Sequence, residues 1–195
     1  MHPQIAELVR QLDSATVHAR AIATPASDAA FHQRPPSGGW SAAECVAHLS
    51  LTTQALLPLI DAALASGRPG FPDGRRYRSD TMGWLLAWSL EPPARVRIRT
   101  LPSFVPSSTG SKGAILAEFE RLQGELAGRL ERASGLDLHP IRVRSPFNSK
   151  VSYNAFAAFR VLLAHERRHL GQAERALAAA HDSSNAPTPR TGRKG

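Results

Sequence analysis

From the start of the chain, Ile5, Leu8, Val9, Leu12, Thr16 and Ala19 recur at spacings of three and four, which predicts an amphipathic helix over 3–23. A Pro- and Gly-rich loop follows, ending in Pro35-Pro36-Ser37-Gly38-Gly39, where a continued helix is sterically and entropically disfavoured. Ser41 and Glu44 then read as a capping box, the hydroxyl accepting from the Glu44 backbone while the carboxylate reaches back to the cap. A second helix is predicted from Ser41 through Val46, Leu49, Thr53, Leu56, Ile60 and Leu64 to about Ser66. Trp40, just before that cap, and Cys45, at the fourth helical position, have the arrangement of a hydrophobic staple.

The stretch 68–112 is broken by Pro, Gly and Ser around one apolar segment, Met82 to Leu90, that reads as a short helix. Arg alternates with Val and Ile at 95–99 and again at 141–144, which predicts short strand-like pieces. Connections this long in a domain often form lids or the walls of a site. A third long helix is predicted over 113–134, with Ile115, Leu116, Phe119, Leu122, Leu126 and Leu130 on its apolar side and Gly135 closing it in a left-handed conformation. A fourth spans 151–181, where Phe156, Leu163, Leu170 and Leu177 form a seven-residue seam suited to a neighbouring helix. The pattern predicts an all-α fold, a four-helix bundle over 1–182 with a long irregular connection between helices two and three. A disordered basic tail is predicted over 183–195.

Composition adds little to the fold and more to the setting. At 195 residues, with 42% hydrophobic and 21% charged side chains, the chain suits one globular domain with a substantial core. The lone Cys45 rules out an intramolecular disulfide and suits a reducing cytoplasm. Residues 1–13 lack the continuous apolar stretch of a signal peptide, and no run approaches the ~20 uninterrupted apolar residues of a membrane span, so no membrane role is expected. The net charge of +8 raises nucleic-acid binding as a class. Three of its cations, Arg190, Arg193 and Lys194, fall in the tail, and most of the remaining excess lies in Arg75, Arg76 and Arg78, Arg95, Arg97 and Arg99, and Arg142 and Arg144. These segments read as loops without a nucleic-acid motif, so a solvated basic surface is the expected outcome.

The strongest chemical signal is the pair His165 and His169, four apart on the fourth helix and so on one face, within reach of one metal ion. His48, inside the second helix, is the natural third ligand. His2, His18, His32, His139 and His181 are expected to face solvent. The string His165-Glu166-Arg167-Arg168-His169 also matches the zinc-peptidase pattern H-E-x-x-H, with the Glu as general base. The peptidase reading is set aside: only Glu174 and His181 follow as downstream ligands before the tail, Gln172 stands where the metzincin extension needs Gly, and two Arg crowd positive charge into the motif.

Gly39-Trp40-Ser41-Ala42-Ala43-Glu44 leading to His48-Leu49, and His165 through Gln172, together resemble the DinB/YfiT-like superfamily of four-helix bundles. Phe119-Glu120-Arg121-Leu122 and Val143-Arg144-Ser145-Pro146-Phe147 share the likeness, which extends over the chain up to the tail. The resemblance implies a divalent ion, often zinc or nickel, held by His48, His165 and His169. Some members are thiol S-transferases or thiol-dependent isomerases using bacillithiol or mycothiol, and substrate identity does not carry over.

Three neutral imidazoles leave a divalent ion its full charge and an open position, which favours an anionic fourth ligand, a thiolate or a hydroxide. The expected function is thiol transfer or hydrolysis on a small, anionic or thiol-bearing substrate, with a low-molecular-weight thiol as cosubstrate. Arg168 is the expected catalytic residue, stabilising developing charge or a thiol's carboxylate. Gln172 is placed to orient a ligand imidazole, as metal-bound His usually donates its other nitrogen to an acceptor. Glu44 is accounted for by its cap and Cys45 as a small buried hydrophobe. The alternative is a non-catalytic bundle that binds a metal or ligand, and a homodimer stays open.

Overall fold

The computed structural model describes residues 1–72, 74–93, 100–106 and 110–184, the side chains of 182–184 excepted. The strand-like piece expected at 95–99 and most of the tail lie outside the described residues. Four long helices form the bundle: α1 (Pro3–Ala23), α3 (Ala42–Leu64), α5 (Lys112–Ala133) and α6 (Ala155–Ser184), with two shorter ones, α2 (Asp28–His32) and α4 (Thr81–Leu90). Both α1 and α3 pack against both α5 and α6, so α1 and α3 lie diagonally opposite, as do α5 and α6. On composition alone α3 is long and apolar enough to cross a membrane, but most of it is buried in the bundle core.

The capping box forms as expected. The Ser41 hydroxyl accepts from the Glu44 backbone N–H (3.1 Å), and the Glu44 carboxylate accepts from the Ser41 N–H (2.9 Å). Glu44 also pairs with Arg34, which, more than any other contact, holds its carboxyl below the usual range. Gly135 adopts φ +86° just past the end of α5, as a left-handed helix stop requires. The seam residues Phe156, Leu163 and Leu170 are buried and Leu177 packs at the edge of the core.

Four local features depart from the expectation. The loop after α1 contains the single-turn α2, capped by the Ser27 side chain. The start of the fourth helix is instead a strand, β2 (Ser152–Asn154), paired antiparallel with β1 (Arg142–Arg144). The helix begins one residue later because the Asn154 side chain accepts from the Ala157 N–H (2.9 Å) and acts as its cap. His2, expected at the surface, is buried: its Nδ1 accepts from the Gln4 N–H at the start of α1, its Nε2 meets the Arg75 carbonyl at 2.9 Å, and its ring stands edge-on to Tyr77. His32 is half-buried, with both ring nitrogens against carbonyls, those of Asp28 and Gly110.

Helix α4 lies outside the four-helix core, on α6. Asp80 starts it, accepting from the Gly83 N–H, and also receives Arg142 and the Asn154 N–H, which ties the β-hairpin to the helix start. Gly83 lets the two helices approach closely, because a Cβ there would stand 2.2 Å from the Ala157 Cβ and 3.1 Å from that of Tyr153. An exposed helical Gly→Ala change usually stabilises. Here Gly83→Ala is expected to have the opposite sign, costing about 1–3 kcal/mol in urea unfolding, the range typical of an overfilled core.

Candidate metal centre

Helix α3 carries His48 and helix α6 carries His165 and His169, and the packing of these two helices brings one nitrogen from each ring within 4.8 Å of the others. Nε2 of His48 and Nε2 of His165 are 3.2 Å apart, across 117 residues of sequence. Two nitrogens that ligate one tetrahedral zinc at ~2.0–2.1 Å stand about 3.3 Å apart, so this pair has the spacing of two ligands. His48 is oriented from behind: its Nδ1 lies 2.7 Å from the Phe104 carbonyl, an acceptor only, so Nδ1 carries the proton and the Nε2 lone pair faces the other rings. Phe104 ends a 3-10 turn, Pro102–Phe104, so the long connection does supply part of the site wall.

Burial keeps the three rings neutral, as metal ligation needs. It is the main cause of a lowered pKa at His48, against the opposing bond to Phe104, and of one well below the ordinary value at His165. For His169, burial first, then His48 and Arg168, bring the pKa down to about 3. Nδ1 of His169 is buried without a hydrogen-bond partner. A tight cluster of neutral imidazoles with an orphaned ring nitrogen fits a divalent cation. Among the described residues, no carboxylate or thiol joins the three donors.

Around the rings, Trp40 stacks on His169 (centroids 5.8 Å apart) and tilts over His48 (4.8 Å), while Phe147 stands 5.9 Å from His165. The staple reading of Trp40 is therefore incomplete: it packs against the cluster that holds Cys45 and also roofs the imidazoles. Gly38 and Gly39, at φ +82° and +105°, turn the chain into that position. Arg168 and Gln172 both line the same cavity as the three rings. Arg168 donates to the Ser89 carbonyl on α4, and the Gln172 side chain lies against His169, where it favours the protonated ring. Cys45 is fully buried and burial pushes its thiol up to about 12, so it remains a protonated packing residue.

Glu166 decides between the two readings of the H-E-x-x-H string. Its carboxyl is 1% exposed and turned away from the cavity, whose lining does not include it. It accepts from Gln123 Nε2 of α5 at 2.9 Å, across the diagonal of the bundle. A general base must reach the reacting proton, and this carboxyl is committed to the core.

Fold and site together define a helical-bundle protein with a three-histidine centre suited to a divalent ion. The chain belongs to the DinB superfamily, whose family model matches residues 11–173. Comparison with curated proteins and with solved structures gave no match.

Proposed function

We propose that this chain is a metal-dependent enzyme in which His48, His165 and His169 hold zinc or nickel and a thiol or water is activated for attack on a small electrophile. Thiol S-transfer is the leading reaction and hydrolysis the second. The observation that carries the reading is the donor set: three neutral imidazoles with no carboxylate or thiol beside them among the described residues. Such a set leaves a coordination position open, as catalytic sites do, whereas structural zinc is closed by a fourth protein ligand. A divalent ion there supplies Lewis acidity, lowering the pKa of a thiol or water placed beside it.

The chain's own groups account for the rest. The Phe104 carbonyl fixes the His48 ring, and Trp40 covers His48 and His169 against bulk water. Arg168 lines the cavity and its positive charge acts on His165 and His169, so that it can hold an anionic group of a thiol or the charge that develops on the electrophile. The lone, buried Cys45 suits a reducing, cytoplasmic setting, and neither it nor Glu166 takes part in the chemistry.

Metal analysis of untagged protein, reconstituted with zinc or nickel, is expected to find one tightly bound ion per chain. The loaded protein is then expected to consume an electrophile such as 1-chloro-2,4-dinitrobenzene in the presence of bacillithiol or mycothiol. Failure to retain any divalent ion sinks the proposal at its root, and retention without turnover across thiols and esters favours the non-catalytic binder.

A further inference from the structure

The three imidazoles and Arg168 line a cavity of about 700 Å³, within the ~300–1,000 Å³ of sites that take small organic ligands. Its wall is mostly apolar: Leu56 from α3, Leu86 and Leu90 from α4, Val161 and Leu162 from α6, and Val151 beside the hairpin. Several of the polar groups in that wall are engaged with the protein itself. Thr52 donates to the Leu49 carbonyl (2.9 Å), Ser145 Oγ accepts from the Phe147 N–H (3.3 Å), and Asn148 Oδ1 accepts from the Lys150 N–H (3.0 Å). The Tyr153 phenol, its pKa pushed up to about 12 by burial, stays neutral and bonds to Ser145. Arg168 is the one formally charged side chain among the described lining residues, none of which is a carboxylate.

These features select a ligand by chemistry. A sugar or peptide body needs partners spread along its length, and unpaired polar groups lose about 1–3 kcal/mol each on burial. A cationic ligand would meet Arg168 with no carboxylate to offset it. We infer that the substrate is a hydrophobic small molecule, neutral or singly anionic, with one donor head at the imidazoles and Arg168 and an aliphatic or aromatic body against the α4–α6 wall. The inference rests on the reading of the three-histidine cluster as a ligand-binding centre, and it makes α4, outside the core bundle, the specificity element of the site.

The test is isothermal titration calorimetry of the full chain, zinc-loaded and metal-free, with n-alkyl hydroxamates of about four to eight carbons. Each buried methylene is expected to tighten Kd by up to about fourfold, in both forms of the protein. The Leu86→Gln/Leu90→Gln variant, checked for unchanged helicity and zinc content, is expected to flatten this dependence and leave the four-carbon ligand within about twofold of wild type. Leu90→Gln alone serves if the double variant fails to fold. A Kd independent of chain length in both forms, or a slope that survives the α4 substitutions, overturns the inference while leaving the metal centre intact. A slope with no contribution from zinc supports the apolar cavity and overturns the metal centre instead.

Discussion

Replacing His169 by alanine is expected to abolish stoichiometric metal binding while leaving the helical bundle folded. The ring stands within 4.8 Å of both other donors, and its Nδ1 is buried without a partner. Alanine is the best helix former, so α6 itself loses nothing by the change. Residues that merely orient a metal ligand already account for about 10–100-fold in affinity, and loss of one of three ligands should exceed the upper end of that range. Competition with a chromogenic chelator, alongside circular dichroism, would measure both quantities. Arg168→Ala is the control, expected to keep the ion and lower turnover. One ion held as tightly by His169→Ala as by wild type would remove the cluster as its site.

The second large effect is of opposite sign, since Glu166→Gln is expected to stabilise the metal-free protein at neutral pH. Burial is the main cause that raises the Glu166 pKa, from 4.5 to about 8, partly offset by Gln123 and Arg167. An acid whose folded pKa is raised keeps its stability below the unfolded value and loses it as pH climbs toward the folded one. From pH 4.5 each unit costs about 1.4 kcal/mol until ionisation near 8, so the cost at pH 7 is about 3 kcal/mol. The local bonding points the same way, for Oε2 of Glu166 and Oε1 of Gln123 are both buried acceptors without a donor. A proton on Glu166 supplies that donor, and the side-chain amide introduced by Glu166→Gln supplies it permanently. Urea unfolding at pH 7 should show the gain, shrinking toward zero near pH 4.5. Equal stability of the two proteins across that range would mean that Glu166 ionises in the fold. The variant should also retain metal, which separates this carboxyl from the general base suggested by H-E-x-x-H.

Much of the fold was legible because helix signals are local. The Ser41–Glu44 box and the leucine spacings act over three or four residues, and they placed all four long helices to within a few residues. The start of α6 is not legible locally because β2 is set by pairing with β1, ten residues away, and its apolar pattern does not distinguish a strand from a helix turn. The burial of His2 is hidden from local sequence for a similar reason, since its partners Arg75 and Tyr77 lie more than seventy residues along the chain.

The site divides the same way. Sequence alone determined that His165 and His169 share a face of one helix, because the helical repeat allows nothing else, and the capped second helix made His48 the natural third ligand. Tertiary structure decided the rest. It set the 3.2 Å approach of His48 to His165, through the packing of α3 on α6, and it chose Phe104 to orient His48 through a backbone carbonyl, a group every residue carries and no motif reveals. It also folded Trp40 over the rings and turned Glu166 into the core, one residue from a ligand yet on another side of the helix. Neighbouring helical residues point about 100° apart, so adjacency in H-E-x-x-H could not say what the glutamate faces.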